Sequence, residues 1–252
     1  MRRRSLLVLL VLAATALLAG CLPPSNPGKP IQTLFVPAAN GTPQRLLVIL
    51  PGRGDDLEGL RRSGAAEAAQ RAWPDADVVY AELTLGYYME GRAPERLHAE
   101  VIQPARERGR YRQVWLAGAS MGGMGVILYD RAHPGALDGL VLMAPYLGDG
   151  KIVREVADAG GVATWNAGPP QDLGADTFQR EMWRHIQRWQ RTPAEGQRVW
   201  LTYGRSDRLR RAMPVLAPAL DPDHVRVVDG GHAWKVWSPA LEGVLRAADA
   251  DR

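Results

Sequence analysis

One serine lies in a sequence context that can turn its hydroxyl group into a nucleophile. Ser120 is the centre of a Gly-Ala-Ser-Met-Gly segment, which follows the apolar run of residues 111–117 and precedes a helical pattern at residues 123–133. Where a strand turns sharply into a helix, the residues two positions before and after the serine must be very small for the two elements to pass. Gly118 and Gly122 meet this requirement. The pattern therefore predicts that Ser120 is a catalytic nucleophile; the alternative is a glycine-rich turn of a different α/β fold.

A serine hydroxyl is a weak nucleophile unless a base removes its proton during attack. The five histidines of the chain are His98, His133, His185, His224 and His232. Only His232 follows the last predicted strand, in a loop whose glycine pair allows the imidazole to reach over the serine. We therefore predict His232 as the general base, against the background that a single histidine more often has a structural role.

The base needs an acid that holds its imidazole in the correct tautomer and stabilises the imidazolium ion. Asp207 follows the predicted strand of residues 197–203 with the spacing Gly-x-x-Asp. It also stands between the serine and the histidine, in the chain order that this type of site requires. Asp223 and Asp229 are rivals, but Asp229 is too near His232 for a tight loop. We predict Asp207 as the acid, a role that is compatible with capping a helix.

The negative charge that develops on a carbonyl oxygen during attack needs two backbone N–H groups held in place. One is expected to be the N–H of Met121, directly after the nucleophile. The other is expected in the loop of residues 50–56, which follows the first long strand and contains two glycines. We predict the amide of Arg53 as this second donor, with Gly54 as the alternative. The Arg53 side chain either holds an anionic group in the cleft or is solvated, and we favour solvation.

The elements that must position these residues are short apolar runs alternating with longer helical patterns. The predicted strands are residues 45–50, 76–83, 111–117, 137–144, 197–203 and 224–228. The predicted helices are residues 58–73, 94–108, 123–133, 207–220 and 239–248. Pro104 and Pro214 are expected to kink or shorten their helices. This alternation predicts a single α/β domain with a mostly parallel sheet and helices on both faces.

Residues 147–195 interrupt the alternation and are predicted to form a small helical, cap-like insertion after the sixth strand. Their helical pattern places Phe178, Met182, Ile186 and Trp189 at three- and four-residue steps, which makes one apolar face. The insertion is expected over the carboxyl ends of the strands, where sheets of this kind hold their sites. A mobile lid and a helix simply packed on the sheet are equally compatible with the pattern.

The amino-terminal residues have the organisation of a leader and a tether. Residues 1–20 contain three arginines followed by an uncharged apolar run, the layout of a secretory signal peptide. The segment ending at Cys21 resembles the lipobox of bacterial lipoproteins, which implies acylation of Cys21 and a membrane as partner; the alternative is an ordinary signal peptide with a chance cysteine. Leu22 stands where the enteric lipoprotein pattern has the aspartate that favours inner-membrane retention, so in a cell with two membranes the resemblance implies the outer membrane, facing the periplasm. Residues 21–30 are the predicted proline-rich tether, and residues 31–252 the folded domain.

The composition narrows the classes of function. The formal net charge is +4, and removal of the three leader arginines lowers it to +1. There is no basic stripe with interleaved aromatic residues, so nucleic acid is not a predicted partner. The sequence has no His-Glu-x-x-His motif, no Cys/His cluster and no P-loop, so no metal is predicted. Cys21 is the single cysteine, and its acylation would leave no disulfide.

The chain resembles the α/β-hydrolase esterases over about residues 46–245, in the serine turn, the acid loop and the histidine loop together. The segment from Gly230 to Trp237, Gly-Gly-His-Ala-Trp with a second tryptophan, is similar to the histidine segment of the esterase D and feruloyl esterase group. The resemblance implies the α/β-hydrolase fold and hydrolysis of small-molecule carboxylic esters through an acyl-enzyme, without a cofactor. One departure concerns the oxyanion loop, where Pro51 replaces the histidine of the common His-Gly-x-Gly pattern.

Two other functions are compatible with the same residues. The same three residues could act on thioesters or transfer the acyl group to an alcohol. A lipoprotein could also keep the fold for binding only, without catalysis. Covalent labelling by a fluorophosphonate distinguishes the second alternative from an enzyme, because only an activated serine reacts.

Overall fold

The computed structural model describes residues 26–107 and 111–251, and its centre is a seven-stranded sheet. The strands are β1 (Thr33–Val36), β2 (Arg45–Leu50), β3 (Ala76–Ala81), β4 (Gln113–Ala119), β5 (Gly139–Met143), β6 (Val199–Gly204) and β7 (Val225–Val228). Their order in the sheet is β1-β3-β2-β4-β5-β6-β7. All neighbouring strands are parallel except β1, which runs antiparallel to β3. The predicted α/β class with a mostly parallel sheet is confirmed.

Both faces of the sheet are covered, which explains why its central strands are continuous apolar runs. Leu46, Val48 and Leu50 of β2 point into one core layer, whereas Leu47 and Ile49 point into the other. This alternation follows from the two-residue period of a strand. All five side chains are almost completely buried, so β2 is a central strand that contributes side chains to both core layers.

Eleven α-helical segments are found in the described residues. They are α1 (Leu57–Arg62), α2 (Ala65–Ala72), α3 (Leu85–Met89), α4 (Ala93–Leu97), α5 (Gln103–Glu107), α6 (Met121–Ala132), α7 (Gly150–Asp158), α8 (Phe178–Arg191), α9 (Pro193–Gly196), α10 (Met213–Leu216) and α11 (Trp234–Ala250). The residues of α6 and α8 pack into one core layer, and those of α2 and α11 into the other. Helices therefore cover both faces, as predicted.

Several predicted helices have different bounds in the structure. The helix expected at residues 94–108 is divided by a π-helical turn, His98–Ile102, which ends two residues before Pro104. Proline lacks an N–H and collides with the carbonyl four residues earlier, so a wider turn relieves the clash. The helix expected at residues 207–220 was wrong: that segment forms 3₁₀ turns around the four-residue α10. The last helix begins at Trp234 and tolerates Pro239 in its second turn.

The helical insertion lies between β5 and β6, so it follows the fifth strand of the sheet rather than the sixth. Met182, Ile186 and Trp189 on the apolar face of α8 are completely buried, and Phe178 is half-buried. The helix is therefore packed against the domain along most of its length. The remaining part of the insertion, residues 159–177, contains no helix or strand.

A buried charged cluster attaches α8 to α6. The carboxylate of Asp130, which has no exposed surface, accepts hydrogen bonds from His185 Nε2 at 2.7 Å, Trp189 Nε1 at 3.0 Å and Arg198 at 2.5 Å. Burial alone would raise the pKa of Asp130, but the hydrogen bond from His185 and the charge of Arg198 hold it below its usual value. Since a buried carboxylate without such partners is very unfavourable, the four side chains depend on one another.

Two predictions concern membranes and metals. Across residues 26–107 and 111–251, no helix combines the length and the apolar character needed to cross a bilayer. The same residues contain no group of three histidine, cysteine or acidic side chains placed to bind a metal ion. The predicted signal peptide, residues 1–20, and the predicted lipidation site, Cys21, lie outside the described residues.

Candidate active site

Ser120 occupies the sharp turn between β4 and α6, with φ 54° and ψ −112°. A non-glycine residue with positive φ is strained, at a cost of about 1–3 kcal/mol, and the surrounding packing must hold it there. A Cβ atom at Gly118 would lie 2.3 Å from the backbone carbonyl carbon of Gly122, and one at Gly122 would lie 2.6 Å from the carbonyl oxygen of Leu50. Both glycines are therefore required by close backbone packing, which is the reason given for them from the sequence.

Asp207 and His232 are in direct contact. His232 Nδ1 lies 2.8 Å from Asp207 Oδ1 and 2.9 Å from Oδ2, and the aspartate is completely buried. Asp207 Oδ1 also accepts a hydrogen bond from the backbone N–H of Leu209 at 2.8 Å. With Nδ1 facing the carboxylate, the neutral imidazole carries its proton there and leaves Nε2 free to accept one.

The other ring nitrogen, Nε2 of His232, is buried and has no hydrogen-bond partner among the described residues, Ser120 included. Hydrogen bonds between a nucleophile and its base are often long before substrate binds and become short in the complex. The nitrogen is thus a vacant acceptor at the same edge of the sheet as the strained serine. An unpaired buried acceptor costs stability, which is consistent with a group kept free for proton transfer.

Two loops meet backbone to backbone to bring the acid and the base together. A Cβ atom at Gly204, where β6 ends, would lie 2.3 Å from the carbonyl oxygen of Gly230. Gly230 itself has φ 122°, a conformation that favours glycine. The rings of His232 and Trp237 pack edge to face, with their centroids 4.6 Å apart. The imidazole is therefore held by contacts with a carboxylate and an indole.

Met121 is the first residue of α6, so its N–H has no acceptor within the helix. The helix dipole also places partial positive charge at this end. In the loop after β2, the N–H of Gly52 is already used, because it donates to Asp55 Oδ2 at 3.0 Å. Arg53 lines the cavity beside Ser120, whereas Gly54 does not, so the Arg53 amide stays the candidate for the second donor, with Gly54 as the alternative. The Arg53 side chain is exposed.

One residue at this edge was missed by sequence reasoning. Asp55 Oδ2 accepts hydrogen bonds from Gly52 N at 3.0 Å and from Trp234 Nε1 at 2.8 Å. Asp55 therefore connects the predicted oxyanion loop to the helix that starts two residues after His232. Burial raises the pKa of Asp55, although the hydrogen bonds from Trp234 and Gly52 act in the opposite direction. Since Trp234 is 179 residues away in sequence, no local pattern indicates this contact.

A cavity of about 690 Å³ opens beside Ser120. Its charged lining residues are Arg53, Glu90 and Arg208. Most of the remaining wall is apolar and comes from α3, α6 and the insertion: Leu85, Tyr88, Met89, Met121, Met124, Leu128, Leu173, Ala175 and Phe178. An apolar cavity with few polar groups is typical of small-molecule sites. The insertion thus supplies one wall of this cavity, and α3, which the sequence did not predict, supplies another.

Comparisons with known proteins concern the fold and the segment around Ser120. A family model described as serine aminopeptidase, S33, matches residues 98–171, the part of the chain that contains Ser120. No curated protein matches the sequence. Among solved structures, Est1E from Butyrivibrio proteoclasticus superposes with a TM-score of 0.57 at 15% identity, over 88% of this chain and 93% of that one.

Two further solved structures are similar. An S-formylglutathione hydrolase from Staphylococcus aureus has a TM-score of 0.54 at 12% identity, over 90% of this chain and 98% of its own. A monoacylglycerol lipase from Paleococcus ferrophilus has a TM-score of 0.54 at 15% identity, over 87% and 99%. The chain has the α/β-hydrolase fold, and over residues 98–171 it is similar to a family of serine hydrolases. The predicted fold is confirmed, and the matched family model agrees with the predicted enzyme class.

Proposed function

We propose that this protein hydrolyses carboxylic esters through an acyl-enzyme on Ser120, with His232 as general base and Asp207 as the acid that orients it. The observation that carries the proposal is the Asp207–His232 pair, with contacts of 2.8 and 2.9 Å and a free Nε2 on the far side of the ring. The strained backbone of Ser120 and the apolar cavity beside it support the same proposal. A second solved structure of Est1E contains bound ferulic acid.

In the first half of the reaction, the Ser120 oxygen attacks the carbonyl carbon while its proton moves to His232 Nε2. The carbonyl oxygen becomes an oxyanion that accepts hydrogen bonds from the amides of Met121 and Arg53. Collapse of this intermediate breaks the bond to the leaving alcohol, which takes the proton from Nε2. Asp207 remains ionised and stabilises the imidazolium ion in between. The acyl group, now bound to the serine, occupies the apolar cavity.

In the second half, a water molecule attacks the acyl carbon and gives a proton to His232 Nε2. The second tetrahedral intermediate is stabilised by the same two amides. Its collapse breaks the bond to Ser120, which recovers its proton from the histidine, and the carboxylic acid leaves. No cofactor takes part in this proposal. Thioesters and transfer to an alcohol use the same steps with a different leaving group or acceptor.

We further propose that the enzyme is anchored to the bacterial envelope by acyl chains on Cys21, with the outer membrane facing the periplasm as its location. The support is the leader-like residues 1–20, the lipobox-like segment before the single cysteine, and Leu22 after it. Several acyl chains would make the attachment stable, because each buried CH₂ contributes about 0.8 kcal/mol. A Cys21→Ser variant expressed in the native cell should lose the membrane fraction.

The test of the catalytic proposal is hydrolysis of p-nitrophenyl acetate and butyrate by the soluble chain that begins after Cys21. Ser120→Ala should leave only the residual, about 10³–10⁴-fold catalysis over water that binding and the oxyanion donors supply. Ser206→Ala, which removes an exposed hydroxyl from a nearby loop, is the matched control and should retain full activity and fluorophosphonate labelling.

The outcomes separate the rival functions. If neither wild type nor Ser120→Ala reacts with substrate or fluorophosphonate, the protein uses the fold for binding alone. An aminoacyl p-nitroanilide, included because the matched family model is described as an aminopeptidase, should remain uncleaved. Preferential cleavage of that amide over the esters would replace the esterase proposal with a peptidase.

A further inference from the structure

The chain enters the domain at the edge of the sheet that holds the candidate active site. Strand β1 is antiparallel to β3, and its first residue, Thr33, lies opposite Ala81, the last residue of β3. Strands β2, β3 and β4 are parallel to one another, and β4 ends immediately before Ser120. The start of β1 therefore lies at the same edge as Ser120. The residues before it approach the domain from this side.

The incoming segment is fixed in place by polar contacts. Arg96 donates hydrogen bonds to the carbonyl oxygens of Pro27 at 2.6 Å and Lys29 at 2.7 Å, and the Tyr87 hydroxyl donates to Lys29 O at 3.1 Å. The N–H of Ile31 donates to Glu100 at 2.7 Å, and the Ile31 side chain is buried. These contacts hold residues 27–31 against the region of α3 and α4.

The same region borders the mouth of the cavity. Tyr87 belongs to α3, and Leu85, Tyr88 and Met89 of that helix line the cavity. The short helix α3 therefore contacts residues 27–31 and also lines the cavity. Cys21 precedes Asn26 by five residues, and a fully extended chain covers at most about 3.6 Å per residue, or about 18 Å in total. Acyl chains at Cys21 would therefore hold this edge close to the bilayer.

The surface around the mouth has the chemistry of a membrane-facing surface. Met89 is 72% exposed, the most exposed of the large hydrophobic side chains that the structure describes. Arg53 and Arg208 line the cavity, and neither forms an ion pair with another described residue. Arg211, three residues after Arg208, is also exposed, in the 3₁₀ turn of residues 210–212. Glu90 is the one acidic residue lining the cavity, so positive charge predominates among the lining side chains and is complementary to anionic lipid head groups. Asp172 and Asp176 are exposed on either side of the lining residues 173–175, so this complementarity is confined to the side of the mouth formed by Arg53 and Arg208.

We propose that the active-site edge of this domain faces an anionic membrane surface and that the enzyme takes its ester substrates from the bilayer. The inference rests on the proposed ester hydrolysis and on the proposed anchor at Cys21. The acyl part of a membrane amphiphile would enter the apolar cavity past Met89, while its head group remains among the arginines. The tether then sets orientation as well as location, because it is attached beside the mouth.

The single cysteine makes a direct test available. The protein starting at Cys21 is coupled through its thiol to a maleimide lipid in vesicles of phosphatidylcholine and phosphatidylglycerol. The matched control combines Cys21→Ser with Thr42→Cys, because Thr42 is exposed in the loop between β1 and β2, at the opposite edge of the sheet. Both proteins are compared at equal surface density. One substrate is a fluorogenic ester embedded in the bilayer, and the other is soluble p-nitrophenyl butyrate.

We expect the two proteins to hydrolyse the soluble ester at equal rates. On the embedded ester, the rate of the Cys21-coupled protein should be about tenfold or more higher, because only this orientation exposes the mouth of the cavity to a high local concentration of substrate. Arg211→Glu should lower the embedded rate on anionic vesicles and leave it unchanged on phosphatidylcholine alone. Equal embedded rates for the two attachment points would overturn the orientation. Failure of both proteins on the soluble ester would instead overturn the esterase function on which the inference depends.

Discussion

Replacement of Asp55 by alanine tests whether the bridge between two loops positions the oxyanion donors. Asp55 Oδ2 holds the N–H of Gly52 on one side and the indole N–H of Trp234 on the other. Without the carboxylate, the loop of residues 51–54 loses its fixed relation to the helix that follows His232. The amide of Arg53, one residue after Gly52, would then no longer point reliably at the oxyanion.

The magnitude follows from the two hydrogen bonds and from the geometry they maintain. A hydrogen bond to a charged group contributes about 1.5–3 kcal/mol. Burial of the carboxylate offsets part of this, as the raised pKa of Asp55 indicates. We therefore expect the free energy of unfolding to fall by about 1–3 kcal/mol. A displacement of about 1 Å in a catalytic group costs about 10²-fold, so kcat should fall by about that factor. KM should change little, since Asp55 does not line the cavity.

Asp55→Asn is the matched variant, because both hydrogen bonds end on the same oxygen. An amide oxygen in that position can accept both, so Asp55→Asn should retain most of kcat. A carboxyl whose pKa is raised by folding stabilises the protein fully below its unfolded pKa, near 3.8, and loses that contribution as the pH rises through the folded pKa. Asp55→Asn lacks this loss, so its stability relative to wild type should increase between about pH 4 and neutral pH.

Steady-state kinetics and urea unfolding on the three proteins check these values. The positioning role is refuted if Asp55→Ala keeps the wild-type kcat, or if its only change is a higher KM. A fall in kcat for Asp55→Asn as large as for Asp55→Ala would show that the charge, not the position of the oxygen, is required.

Three further predictions concern the elements that hold the site. Gly118→Ala should destabilise the fold by about 3 kcal/mol or more, since its Cβ would lie 2.3 Å from backbone. Gly243→Ala in α11, where no atom lies within 4 Å of the added carbon, should stabilise the fold by about 1 kcal/mol. Thermal unfolding of the two glycine variants measures these changes, and equal effects of the two substitutions would contradict the packing argument. Asp130→Asn should cost about 3 kcal/mol at neutral pH. Because folding lowers the pKa of Asp130, the difference in the free energy of unfolding between wild type and variant should shrink as the pH falls below about 4. Urea unfolding measures this difference, and a value that does not change with pH would refute the charged cluster. Asp207→Asn should keep the fold but lower kcat by about 10⁴-fold, since the wrong tautomer of His232 would face the amide; a loss under tenfold in an ester assay would exclude Asp207 as the orienting acid.

The sequence alone determined the features that can be read as linear patterns. The apolar runs of β2 to β6 and the glycines around Ser120 are short patterns of neighbouring residues, although the burial and the close backbone packing that require them arise in the folded sheet. The predicted order serine, acid, histidine was read from chain position, across the 112 positions from Ser120 to His232. A linear pattern is sufficient for these predictions, because none of them requires a distance in space.

Other features were decided by tertiary structure. The four-residue β1 has too short a pattern to be recognised by itself, and it is a strand because it pairs with β3. The helix expected after Asp207 was replaced by turns, because Pro214 and Pro218 each remove a helical hydrogen bond. The choice between a mobile lid and a packed helix needed the burial of α8 and its contact with Asp130.

The bridge through Asp55 and the location of the tether also belong to the tertiary structure. The Asp55–Trp234 contact joins residues 179 positions apart, and a pattern has no access to partners at that distance. The amino-terminal segment reaches the active-site edge only because β1 runs antiparallel to the strand beside it. The sequence thus predicts which residues could carry out the chemistry of a serine hydrolase. Their distances, the shape of the cavity and the side from which the chain enters depend on how the strands are ordered in the sheet.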